Sequence, residues 1–198
     1  MSSGSKCEPS LETTRVFVAL PLAPEATRHL EMIQTDLLAQ AELKRVPLRL
    51  TPHHQFHVTL AFMGNISRSQ LQRVVRVASN VFLSHAAFGL VLEGLVVFPS
   101  PRRARVLGAA LEDPSGALCP AVASLHTGLR HEGLVLEERA FRPHVTLARV
   151  QPPAHVEFEA SQTWLSKSTL LCRTVAVYES VFDQRGTRYA VLQSVSLD

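Results

Sequence analysis

The pentapeptide His-Val-Thr-Leu-Ala occurs twice in the chain, at 57–61 and at 144–148. Two imidazoles and two hydroxyls at matched spacing suit an in-line displacement at phosphorus. Such a reaction takes a proton from the attacking oxygen and delivers another to the leaving oxygen on the opposite side. Histidine, with an ordinary pKa of about 6.5, does either task near neutrality, so one of His57 and His144 would be the base and the other the acid. Thr59 and Thr146 would hold the non-bridging oxygens, where charge builds in the transition state. The scheme calls for no metal and no cofactor. A lone histidine on a strand is more often a hydrogen-bonded structural residue than a catalyst. The duplication alters that balance, because an identical five-residue pair arises by chance in only about a percent of chains of this length.

The elements that must carry these residues follow from periodicity. Side chains alternate along a strand, so His57 and Thr59 share one face with Val58 and Leu60 on the other, and His144 and Thr146 are likewise set against Val145 and Leu147. Residues 15–20 read as a buried first strand bounded by Pro21 and Pro24, and Leu30, Ile33, Leu37, Leu38 and Ala41 predict a helix from Glu25 to about Lys44. The first repeat strand covers about 56–63. Ser67 then caps a helix carrying Leu71, Val74, Val75, Ala78 and Val81. Runs 88–98 and 105–111 flank Pro99-Ser100-Pro101 as antiparallel strands, and a helix from about Ser115, or from nearer Leu118 so that Pro120 lies in its first turn, ends at His131 before Gly133. The second repeat strand spans 143–150, and 170–181 pairs with 189–197 across Asp183-Gln184-Arg185-Gly186, where Gly186 serves the turn. Strand, helix and repeat strand thus recur at a separation of 87 residues, which suits a duplicated lobe. The expected architecture is α+β: a flexible tail at 1–14, then one bilobal domain over 15–198 with outer helices around a central cleft.

Composition narrows the class. With 198 residues, 46% of them hydrophobic, the chain can bury a core as one domain or two lobes, and a net charge of +3 does not by itself mark a nucleic-acid binder. Seventeen of the twenty basic residues are arginine, whose planar fork suits phosphate oxygens. Cys7, Cys119 and Cys172 are widely spaced and form no Cys-x-x-Cys pair, which indicates neither a disulfide framework nor a zinc cluster. With no apolar leader or membrane-length run, a cytoplasmic monomer is expected. His53, His54 and His57 lack the carboxylate or cysteine that a metal site would add.

The twin His-x-Thr-x strands resemble the signature of the two-histidine (2H) phosphoesterases. Similarity to the LigT/ThpR branch extends over Arg15-Val-Phe-Val-Ala-Leu-Pro-Leu22, His57 to Gly64, Phe98-Pro-Ser-Pro-Arg-Arg-Ala-Arg-Val-Leu107, Phe141-Arg-Pro-His-Val-Thr-Leu-Ala-Arg149, Tyr178-Glu-Ser180 and Gly186-Thr-Arg-Tyr189. The resemblance implies two lobes around a cleft, one motif from each, and hydrolysis of a terminal RNA 2′,3′-cyclic phosphate, or of a small cyclic nucleotide, to a 2′-phosphate. Ligation to a 2′-5′ linkage is the same chemistry with a 5′-hydroxyl in place of water. By analogy His57 is the acid and His144 the base, an assignment the residues themselves leave open. The alternatives are a non-catalytic nucleotide-binding or RNA-binding module on the same scaffold, and a 2H enzyme acting on other cyclic or 2′-5′-linked nucleotides. Retention of both histidines and both threonines argues against the first.

The resemblance also implies that Arg149 contacts phosphate. Parity opposes this, because five residues from His144 is an odd step, and Arg149 reaches the cleft only if the strand ends or bulges first. Arg142, on the histidine's own face, is the second candidate. Arg102, Arg103 and Arg105 form a basic loop that could receive an RNA backbone or simply be solvated. Leu50 stands where many relatives carry tryptophan, which removes one stacking platform, and Phe56 should face the core.

Overall fold

The computed structural model describes residues 13–137, 139–159, 168–183 and 186–198. Their order is β1 (Thr13–Pro21), α1 (Pro24–Leu43), β2 (Leu48–Leu50), β3 (His57–Ser67), α2 (Arg68–Phe82), β4 (Phe88–Phe98), β5 (Ala104–Glu112), α3 (Leu118–His131), β6 (His144–Ala154), β7 (Thr169–Cys172), β8 (Thr174–Asp183) and β9 (Gly186–Ser196), with 3₁₀ turns at His53–Gln55 and Pro101–Arg103. Leu30, Ile33, Leu37 and Ala41 of α1 are buried where the period puts them; in α2 the expected Val74 and Ala78 are buried together with Val77 and Phe82, while Leu71, Val75 and Val81 are half-buried against the core. Ser67 caps α2 in a capping box with Gln70, and Pro24 starts α1 at the one helical position where its missing N–H costs nothing. Gly128 lets α3 approach α2 closely, since a Cβ there would meet Val77 Cγ1 at 2.7 Å.

Among the described residues all strands join one antiparallel sheet in the order β7-β4-β5-β6-β3-β1-β8-β9, with β2 added against β6. Two four-stranded halves correspond strand for strand: β1 flanked by β3 and β8 in one, β5 flanked by β6 and β4 in the other. They meet at β3 and β6, whose one assigned pair is Val58 with Val145. This is the bilobal α+β body expected from the repeat. The helices cross over: α1 leaves β1 but lies against β2 and β6, whereas α3 leaves β5 but lies against β3 and α2.

The start of β1 and the run 170–181 differ from the sequence reading. Thr13 and Thr14 already belong to β1, while residues 1–12 of the expected tail lie outside the described residues. The run 170–181 is two strands that part at Arg173: β7 pairs with β4 at one edge of the sheet and β8 with β9 at the other. An apolar run fixes a strand's period, not its partner, and nothing local marked the break. The expected turn Asp183-Gln184-Arg185-Gly186 includes residues 184 and 185, which lie outside the described residues; Gly186 itself has φ +110°, a conformation that favours glycine.

Candidate active site

Val58 and Val145 are fully buried on the core side of their pair, so the residues on either side of them project to the opposite face. In antiparallel register His57 then sits beside Thr146 and Thr59 beside His144, related by a local two-fold through the valines. His57 donates its Nδ1–H to Gln55 O at 2.7 Å, and its Nε2 meets Thr59 Oγ1 at 3.0 Å. His144 donates its Nδ1–H to Arg142 O at 2.8 Å. A carbonyl only accepts, so the same anchor two residues upstream fixes both tautomers and leaves both Nε2 atoms as the working nitrogens.

Burial holds both imidazoles below the ordinary histidine value. Their carbonyl hydrogen bonds oppose this, whereas the charge of His144 lowers His57 further and that of Arg142 lowers His144 further. The two rings are therefore within electrostatic reach of each other. His57 packs against Phe17 at 4.9 Å and edge-on to Tyr189 at 5.4 Å. His144 rests on Phe98 at 4.8 Å and over Gly108, where a Cβ would come within 3.1 Å of its Cδ2 and 3.0 Å of Val145 O.

Cross-strand rows explain the arginines. Tyr178, Phe17 and Phe62 are successive partners in one half, and Phe98, Val106 and Arg149 are the corresponding row in the other. Phe62 is thus the counterpart of Arg149. Both owe their direction to a bulge. On β3, Thr59 pairs with Ala19 and Ala61 with Val18, which leaves Leu60 as the extra residue; on β6, Thr146 pairs with Gly108 and Ala148 with Leu107, which leaves Leu147. One extra residue reverses parity, so Arg149 turns to the face of His144 and Thr146. The obstacle that alternation raised against Arg149 is removed by this bulge.

A cavity of about 590 Å³ opens on the His57 side of the motif pair. Thr59, Thr146 and Arg149 share its wall with His57, while His144 stands outside that wall. The sequence reading did not single out Arg15, Arg49, Arg188, Phe17, Phe62 or Tyr189, which also line it. The signal for two of them was the alternation of β1, which puts Arg15 and Phe17 on one face. Arg15 is held with its guanidinium 4.9 Å from the Phe62 ring centre, and Arg49 lies directly opposite Arg149 in the β2–β6 ladder. Like charges facing each other across a ladder repel, so the pair makes this wall of the cavity strongly positive. Among the described residues, no carboxylate lines the cavity. Leu50 lines it where tryptophan was the comparison, and Phe56 is buried in the core.

The remaining candidates lie elsewhere. Arg142 is exposed and stacks over Phe98 with its Cζ 5.4 Å from the ring centre, outside the cavity wall. Arg102, Arg103 and Arg105 are exposed on the turn before β5 and at its start, also outside that wall. His53 turns to Glu31 of α1 at 3.5 Å.

Comparison with known proteins identifies the family. The 2′-5′ RNA ligase superfamily profile matches residues 23–181. A Thermus thermophilus protein named RNA 2′,3′-cyclic phosphodiesterase is 32% identical over 153 residues, covering 71% of this chain and 70% of its own length. One of the same name from Aeropyrum pernix is 28% identical over 155 residues, covering 76% of this chain and 86% of its own. The crystal structure of apo LigT from E. coli superposes with a TM-score of 0.74 at 22% identity, covering 94% of this chain and 98% of that one, which shows the shared fold. With a profile match across most of its length and twin motifs meeting at one pair of valines, the chain belongs to the 2′-5′ RNA ligase superfamily.

Proposed function

We propose that the protein hydrolyses the 2′,3′-cyclic phosphate at an RNA or nucleotide end, leaving a 2′-phosphate. The observation that carries this reading is the Val58–Val145 pair, which brings two tautomer-fixed imidazoles and two hydroxyls to one point. Relatives named RNA 2′,3′-cyclic phosphodiesterase support the substrate class. The cavity supports the polarity of the reaction. Both O2′ and O3′ belong to the terminal ribose, so the nucleoside must lie on the side of the leaving oxygen, and the space for it lies beside His57. His57 Nε2–H then protonates O3′ as its bond to phosphorus breaks. His144 Nε2 takes a proton from the water whose oxygen forms the new bond from the opposite side. The Thr59 and Thr146 hydroxyls and the Arg149 guanidinium hold the non-bridging oxygens, and Tyr189, backed by the buried Phe17, gives the base or sugar an aromatic wall.

The test is a short RNA ending in a 2′,3′-cyclic phosphate, with product analysis. A 2′-phosphate supports the reading, and a 3′-phosphate overturns its regiochemistry. His57→Ala and His144→Ala should each lower kcat by about 10²–10⁴-fold with folding intact. Full activity in either single variant would sink the mechanism.

A further inference from the structure

A β-bulge leaves its extra residue out of the ladder, and that residue's carbonyl needs another donor. At Leu60 a helix of the other repeat supplies it, and at Leu147, whose carbonyl also accepts Thr51 N–H at 2.8 Å, a helix of the other repeat adds a second donor. His126 of α3, which follows β5, donates Nε2–H to Leu60 O of β3 at 2.8 Å. Gln34 of α1, which follows β1, donates to Leu147 O of β6 at 2.7 Å and to Thr51 O at 2.8 Å. Gln34 is also the buried polar side chain among the described residues, set in a stripe with Leu30 and Leu37. Its two amide hydrogens serve the end of the strand that carries Arg49 and the bulge that turns Arg149. These are the segments on which two guanidinium groups face each other. His126 occupies the matching place among Val122, Leu125 and Leu129 of α3.

We propose that Gln34 and His126 are a crossed pair of positioning residues. Each sits on the helix of one repeat and holds the bulged motif of the other. Gln34 sets Arg149 against the phosphate, and His126 sets the segment from Thr59 to Phe62. Neither touches substrate. The inference rests on the phosphodiesterase reading for its kinetic part but not for its structural part.

The structural part is read by hydrogen exchange. Gln34→Met should speed exchange in residues 144–154 and leave 57–67 unchanged, and His126→Leu should do the reverse. Kinetically, each variant should lose about tenfold in kcat/KM on a 2′,3′-cyclic phosphate. In an Arg149→Ala background Gln34→Met should cost less than about threefold, because the group it aims is gone, whereas His126→Leu should keep its full effect. His126→Gln, which keeps a donor at similar reach, should restore most of what His126→Leu loses. Unchanged exchange in the crossed motif, or an undiminished Gln34→Met effect in the Arg149→Ala background, overturns the proposal. If Gln34→Met fails to fold, the His126 variants carry the test. A wild-type chain that leaves cyclic phosphate intact would overturn the functional reading, and the exchange pattern would still decide this one.

Discussion

His57 and His144 are anchored alike, but their surroundings depress both pKa values, and that has a kinetic consequence. Hydrolysis needs one imidazole neutral and the other protonated, so the competent free enzyme is the singly protonated pair. For two interacting groups this species is most populated midway between the two macroscopic pKa values. Burial lowers His57 and His144, and mutual repulsion adds to the lowering of His57, so the midpoint falls below the ordinary histidine value of about 6.5. Above the midpoint the acid is lost, and below it the base is protonated. A phosphodiester stays an anion throughout this range and adds no titration of its own. The profile of kcat/KM should therefore be a bell peaking on the acid side of about 6.5. Because a bound phosphate anion favours imidazolium, the kcat profile should be displaced to higher pH. Measuring both profiles with a cyclic mononucleotide checks this, and a kcat/KM optimum well above neutrality would contradict it.

At the scale of elements, Ser67 closes a capping box at the start of α2, and α2 packs behind β1, β3, β8 and β9 rather than at the cleft. Ser67→Ala should cost about 1 kcal/mol, visible as a lower denaturation midpoint, with kcat and KM unchanged. This cap was legible in the sequence because its signal is local, and the same is true of the helical stripes and both repeat strands. The adjacent apolar pairs Leu60-Ala61 and Leu147-Ala148 break the alternation that precedes them, and all four side chains are buried, which is how a bulge looks in sequence. Read without the ladder, the same pair passes for an ordinary strand end, so the direction of Arg149 stayed unresolved. β2 was missed because three residues are too few to show a period. The split at Arg173 was missed because partner choice is a property of the whole sheet. The role of Gln34 is not legible in the sequence, because one polar residue in an apolar stripe carries no signal of its two acceptors, Leu147 and Thr51, which come from distant segments.

Over the whole molecule the charge is close to balanced at +3, yet Arg15, Arg49, Arg149 and Arg188 all line one cavity whose described walls hold no carboxylate. Composition could not reveal this, because a net charge averages over the surface while the sheet gathers distant arginines from β1, β2, β6 and β9 at one mouth. Concave walls of one sign focus the field and draw anions inward. On the proposed reading Arg149 holds the cyclic phosphate, which leaves Arg15 and Arg49 to meet phosphates further along a chain. A cyclic mononucleotide offers one phosphate, whereas an RNA end offers several. The logarithm of kcat/KM should then fall with the logarithm of salt concentration for both substrates, more steeply for RNA by roughly 0.7 for each additional phosphate contacted. Arg49→Ala should flatten the slope for RNA while leaving that of the mononucleotide nearly unchanged. Equal slopes for the two substrates would mean that only the reacting phosphate is held, and that the cavity arginines act on the terminal nucleotide alone.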